Sequence, residues 1–266
     1  MLREGRFKGI WVQPAASDAG GALGIAQLTW YGHCNQPCTV LCTTKTPRKG
    51  LTLVRSPPTR KSNISSHTRV PASGHLARPV LLSQVADLLA KEKVVGGFDG
   101  RMEFGPRALG SRSILGDPRS PRMPAPMNLK IKFRKGFRLF VPSALLERVL
   151  GSLEVDGESP CVLITEPVRR ERRLPESRQD GLWGIDRPSV PRSDIPAVTP
   201  SDNSLRLQAV GRETDRDYYD LIKEFERMTG YGLLGIVYFG VLTPVRCVMR
   251  LAGHNVLAHR SGEEGY

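Results

Sequence analysis

From Ala19 through Ala86 the chain contains no aspartate or glutamate, and this gap limits where a fold can form. Eight cations lie inside it: Lys45, Arg48, Lys49, Arg55, Arg60, Lys61, Arg69 and Arg78. Between residues 32 and 79 the remaining positions are largely Thr, Ser and Pro, with no period of 2 or 3.6. Such a stretch buries too little apolar surface to offset the entropy of ordering it. Its composition is also what GC-rich DNA yields when read out of frame. The chain therefore divides into a lead over 1–31, a basic, low-complexity, disordered or out-of-frame linker over 32–79, a folded α/β unit over 80–230 and a divergent tail over 231–266.

The gap also explains the overall charge. Thirty-nine Lys and Arg against 26 Asp and Glu leave +13 over 266 residues. A balance of that kind invites a nucleic-acid reading. Eight of those cations sit in the gap, so the charge is a property of one segment, and no nucleic-acid partner is expected of the folded unit. A basic nucleic-acid-binding protein acting through 32–79, or an inactive gene fragment, is the alternative function. No run is long and apolar enough to cross a membrane, and the charged start MLREGRFKGIWVQPAAS is not a signal peptide. Five cysteines, an odd number, suit a reducing cytoplasm. His33, Cys34, Cys38 and Cys42 cluster, but their spacing fits no common zinc pattern.

Within the folded unit, Leu81, Leu82, Val85, Leu88 and Leu89 follow helical spacing. Val94–Phe98 reads as a strand, 143–150 as a short helix and 160–165 as a strand. The charged run from Pro167 reads as a solvated loop. Strand-like runs span 195–210 about a turn at Asp202-Asn203. Residues 211–228 form an amphipathic helix closed by Thr229-Gly230. LLGIVYFGVL after it reads as a buried strand.

The chemistry points to Gly100–Ser143, GRMEFGPRALGSRSILGDPRSPRMPAPMNLKIKFRKGFRLFVPS. Arg101, Arg107, Arg112, Lys130, Lys132, Arg134, Lys135 and Arg138 recur there between apolar and turn residues. A guanidinium fork meets phosphate or carboxylate oxygens two at a time. Glycines allow close backbone approach, so N–H groups can join the side chains around an anion. The residues alone fit either a pocket for a phosphorylated ligand or a basic face with structural glycines. In the lead, Asp18 precedes Gly20, Gly21 and Gly24 at a helix start. That pattern fits a phosphate at the helix N-terminus with Asp18 on a bridging metal, or an ordinary N-cap.

GRMEFGPRALGSRSIL, with Arg101, Glu103, Gly105, Pro106, Arg107, Gly110, Arg112 and Ser113, strongly resembles the carbamoyltransferases of the NodU/CmcH type. The likeness continues through NLKIKFRKGFRLFVPS, PVRRERRLP, VPRSDIPAVT and DLIKEFERMTG, and IWVQPAASDAGGALG looks like the end of that family's N-terminal domain. The resemblance implies a YrdC-like α/β C-terminal domain over 80–230, preceded by a remnant, 1–31, of an actin/Hsp70-type ATPase domain. It implies an O-carbamoyltransferase, in which ATP and carbamoyl phosphate form carbamoyl adenylate and the carbamoyl group passes to a hydroxyl of a small-molecule acceptor. On this likeness Arg107, Lys132 and Arg138 are the catalytic set. Arg101, Arg112, Ser113, Arg206, Gly20 and Gly21 would bind substrate or nucleotide, and Asp18 the divalent metal, iron or magnesium. The implied setting is cytoplasmic, with room for a homodimer.

Three departures bear on activity. The family's H-x-x-x-H metal pair is absent, because none of the five histidines has a partner four residues away, so Asp18 alone makes an incomplete site. The 32–79 segment lacks the family's acidic, aromatic connection. Where the family has N-T-S-F-N and then G-E-P-I, this chain reads GLLGIVYFGVLTPVRCVMR. The expectation is a carbamoyltransferase whose transfer is impaired in this chain.

Overall fold

The computed structural model describes residues 18–37, 74–100, 103–105, 107–128, 139–152, 162, 165–175 and 190–238. The lead forms helix α1 (Asp18–Gln27), which runs on into a π-helical turn over Leu28–His33. Residues 20–37 bury no side chain, and Ile25, Leu28 and Trp30 are more than half exposed.

The folded unit begins with helix α2 (Arg78–Ala90), which has Pro79 in its first turn, where a missing N–H costs nothing. Strand β1 (Val95–Phe98) follows, then strand β2 (Arg112–Gly116) and a single turn, α3 (Pro124–Pro126). Strand β3 (Val141–Leu145) leads directly into helix α4 (Leu146–Ser152). Strands β4 (Thr165–Pro167) and β5 (Ser204–Arg206) make a separate antiparallel pair. Strand β6 (Gln208–Val210), helix α5 (Arg216–Thr229) and strand β7 (Leu233–Tyr238) complete the unit.

The main sheet has the order β1-β2-β7-β3-β6. β1, β2, β7 and β3 pair antiparallel in turn, and β6 joins β3 in parallel. β7 is thus the central strand. The sequence boundary at residue 230 falls inside the folded unit, because the strand legible in LLGIVYFGVL closes the sheet rather than opening a tail.

Alternation along the strands makes two cores. Leu115, Leu145, Val210, Leu234 and Ile236 face α2 and α5, meeting Ala86, Leu89, Leu221, Ile222 and Phe225. Ile114, Ala144, Ala209, Leu233 and Val237 face the opposite way, against Met123, Met127, Ile195, Ala197 and Val198. The pattern of α5 dictates its placement, with Tyr218, Leu221, Ile222 and Phe225 on one stripe. Its first turn is capped by Asp215, whose Oδ1 accepts from the Tyr218 N–H at 3.1 Å. Its end is closed by Gly230 at φ 80°, whose N–H donates to the Glu226 carbonyl at 2.7 Å.

Two local readings differ from the sequence. The 143–150 stretch is split between β3 and α4, since Ser143, Ala144 and Leu145 are wholly or almost wholly buried in the sheet and helical periodicity begins only after them. The charged run from Pro167 is anchored rather than free. Val168 is fully buried, and the Arg173 Nε donates to its carbonyl at 2.8 Å.

Candidate anion-binding site

The strand directions bring four chain segments to one end of the sheet. β2, β3 and β6 run the same way, so their first residues, Arg112, Val141 and Gln208, lie at the end where β1 and β7 finish. The loop joining β1 to β2, residues 99–111, spans this end. Arg206 leaves β5 just before Gln208 enters β6.

The loop is fixed from inside. Glu103 is 1% exposed, and its Oε1 accepts three backbone N–H groups: Leu109 at 3.1 Å, Ser111 at 2.8 Å and Arg112 at 3.1 Å. Its Oε2 is buried with no hydrogen-bond partner among the described residues. The intervening Gly110 N–H donates to the Ser113 Oγ at 3.0 Å. Gly110 sits at φ 110°, and a Cβ there would stand 2.5 Å from the Tyr218 ring, so only glycine lets the loop lie on α5. The Gln208 Nε2 donates to the Leu109 carbonyl at 2.8 Å, and the Ser143 Oγ donates to the Gln208 Oε1 at 2.6 Å. This chain ties the loop to β3 and β6. Removing the Glu103 acceptor would take this hydrogen bond from three buried donors, and an unsatisfied buried donor costs about 1–3 kcal/mol.

The arginines of the loop separate into two kinds. Arg112 is 5% exposed, and its Nη1 donates to the carbonyls of Asp99 (2.7 Å) and Ser111 (2.8 Å). Its Nη2 donates to the Gly100 carbonyl at 3.1 Å, and its guanidinium lies 3.4 Å from the Phe98 ring centroid. That side chain is occupied in holding the loop's entry and exit together. Arg107 is half-buried on the same loop, and no described residue gives it a hydrogen bond or ion pair. Of the loop's two described arginines, it is the one without a described partner.

Arg78 of α2 reinforces the loop's start. It donates to the Asp99 Oδ2 at 3.1 Å and pairs with Asp217 in the first turn of α5. Burial works to lower the Arg78 pKa, but the hydrogen bonds and charges of Asp99 and Asp217 outweigh it and hold the guanidinium above its ordinary value. The cation is therefore permanent.

Of the residues singled out in the sequence, the structure brings Arg107, Arg112 and Ser113 together in this loop. Ser113 is fully buried, with its Oγ engaged by Gly110. Arg206 is exposed while Leu205 and Leu207 are buried, as their alternation predicts. Arg101, Lys132 and Arg138 lie outside the described residues. Gly20 and Gly21 lie in α1, where a Cβ on Gly21 would meet nothing within 4 Å. Asp18 is the first residue of α1. Among the described residues no three His, Cys, Asp or Glu side chains are placed to hold a metal ion, so the described residues do not by themselves fit one. Glu103, Asp99, Arg78 and Gln208 were not picked out as site residues by sequence reasoning. Glu103 was visible in the motif, but a carboxylate among arginines gives no sign that its partners are backbone N–H groups. No helix among the described residues is long and apolar enough to cross a membrane.

A mixed α/β domain with a glycine-arginine loop closing one end of its sheet is the class defined so far. Residues 86–237 match the family described as carbamoyltransferase C-terminus, and the chain belongs to that family. It is 44% identical over 264 residues to an uncharacterised protein of Synechocystis, a match covering 94% of this chain and 42% of the relative. It is 34% identical over 239 residues to nodulation protein NolO of Bradyrhizobium diazoefficiens, covering 88% of this chain and 39% of that one. It is 32% identical over 238 residues to nodulation protein U of Sinorhizobium fredii, covering 88% and 35%. The chain thus spans well under half the length of these relatives.

Proposed function

We propose that this chain is the activating part of an O-carbamoyltransferase, a YrdC-like domain that binds ATP and carbamoyl phosphate at the 99–113 end of its sheet and forms carbamoyl adenylate. The observation that supports it is Arg107: a cation on the motif shared with the family, on a rigid loop, with no described partner. ATP and carbamoyl phosphate are both polyanions, and a fixed guanidinium opposite the transferring phosphate oxygens stabilises charge without reorganising. Lys132 and Arg138 are the proposed companions of Arg107, with Arg101 and Arg206 at the margin. Transfer to a hydroxyl of a small-molecule acceptor draws on an actin/Hsp70-type domain, of which residues 1–31 are the proposed remnant, with Asp18 as one ligand of its metal. The setting proposed is cytoplasmic.

The test is equilibrium binding of ATP and of carbamoyl phosphate to the full chain and to Arg107→Ala. Loss of one charge-assisted phosphate contact predicts roughly a tenfold or greater weakening. Deleting residues 38–73, which spares Arg78 and α2, leaves binding unchanged on this reading. Equal affinity in Arg107→Ala, or loss of binding with the linker, sinks it.

A further inference from the structure

Glycine-rich loops commonly bind an anion through consecutive backbone N–H groups, and the sequence invites that reading here. The structure uses those groups differently. The N–H groups of Leu109, Ser111 and Arg112 converge on one oxygen of Glu103, and that of Gly110 goes to Ser113. The loop therefore already holds an anion, and it is the protein's own. Four consecutive N–H groups are withdrawn from any ligand, and the described loop cation without a described partner is Arg107.

We infer that Glu103 is a positioning residue: its buried carboxylate stands in for the ligand as the occupant of the backbone nest, and so sets the direction of Arg107 before any anion arrives. The inference rests on the reading of Arg107 as the anion contact. Three details carry it. The carboxylate is 1% exposed, so it answers to the loop and not to solvent. Oε1 takes all three N–H groups, while Oε2 is buried with no partner among the described residues, so these three bonds meet at a single oxygen. The loop is otherwise clamped on both flanks, by Arg112 on the Asp99 and Gly100 carbonyls and by Gln208 on Leu109, so a shift at Glu103 is felt between them, where Arg107 lies. A loop ordered in advance loses less freedom when the ligand binds.

Geometry and charge can be separated by two substitutions in the full chain. Glu103→Gln keeps an acceptor oxygen where Oε1 stands and removes the charge. Glu103→Asp keeps the charge and withdraws the oxygen by one methylene. ATP affinity is measured for both, beside wild type and Arg107→Ala. Amide hydrogen exchange is followed at Leu109, Ser111 and Arg112, with β7 as the internal reference. The expected result is affinity within about threefold of wild type for Glu103→Gln, and a loss of tenfold or more for Glu103→Asp. In Glu103→Asp, faster exchange is confined to the three loop amides while β7 keeps its protection. An Asp variant that binds like wild type, or a Gln variant as weak as the Asp variant, overturns the inference while leaving Arg107 standing. If Glu103→Asp does not unfold cooperatively, Glu103→Gln decides: protected loop amides with wild-type affinity support the inference, and protected amides with tenfold weaker binding overturn it. Indifference of ATP affinity to Arg107→Ala sinks the functional reading itself, and the inference with it.

Discussion

The two ends of the sheet handle their charges in opposite ways. At the 99–113 end, one carboxylate and one guanidinium are buried among backbone groups, and Arg107 has no partner among the described residues. At the other end, around the C-terminus of α5, lies an open cleft of about 670 Å³ lined by Arg148, Arg172, Lys223 and Arg227. It has four cations, yet each faces a carboxylate. Arg148 and Lys223 meet Glu226 at 2.6 and 2.7 Å, Arg227 meets Glu224 at 2.8 Å, and Arg172 meets Asp194 at 3.4 Å. The cleft is the poorer anion site, because each of its cations faces a carboxylate. What sets the two ends apart is whether a described cation faces a described carboxylate, not a count of cations or a volume.

The sharpest way to break the comparison is through its glycines. Gly110 at the loop end and Gly230 at the cleft end both have positive φ, 110° and 80°. A Cβ on Gly110 would overlap the Tyr218 ring, whereas one on Gly230 would meet nothing within 4 Å. Gly110→Ala is expected to cost about 3 kcal/mol or more, from strain and overpacking together, and Gly230→Ala about 1 kcal/mol from backbone strain alone. Urea unfolding midpoints at equal m-value measure both. Equal costs would mean that the loop is not pressed onto α5.

The next effect tests whether two arginines five residues apart differ in kind. Arg112→Ala removes the donors that three carbonyls share and is expected to destabilise by about 2–3 kcal/mol. Arg107→Ala is expected to change stability by less than about 0.5 kcal/mol, the range of ordinary surface changes. Reversed magnitudes in thermal or denaturant unfolding would exchange their roles.

Much of this was legible in the residues. The stripe of Tyr218, Leu221, Ile222 and Phe225 and the stop at Gly230 placed α5, and the alternation about Arg206 placed its side chain. The run LLGIVYFGVL announced a strand, but its position in the middle of the sheet is a long-range fact: β7 pairs with β2 and β3, whose residues lie some hundred positions earlier in the chain, and no local pattern records that. The loop was legible as chemistry and illegible as geometry. Arg107 and Arg112 look alike in GPRALGSRSIL, and only the fold shows that Asp99 and Gly100 offer their carbonyls to one of them. Glu103 is harder still, since its partners are backbone N–H groups, which every sequence has.

The smallest expected effect concerns the cleft and has a definite pH sign. Burial alone would raise the Glu226 pKa, but hydrogen bonds from Lys223 and Arg148 and their charges hold it below its ordinary value of 4.5. A carboxyl depressed in the folded state contributes stability above its unfolded pKa, and loses it as pH falls through the folded value. The contribution of Glu226 is therefore complete at neutral pH and fades below about pH 4.5. Glu226→Gln is expected to cost about 1 kcal/mol at pH 7, the scale of a partly exposed ion pair, and to flatten the acid side of the stability profile. The difference between the two proteins should shrink as pH drops from about 5 to about 3, and also when salt is raised at pH 7. Binding of ATP at the far end should be untouched by this substitution. A Glu226→Gln variant that gains ATP affinity while remaining folded would place the anion at the cleft, and would reverse the assignment of the two ends.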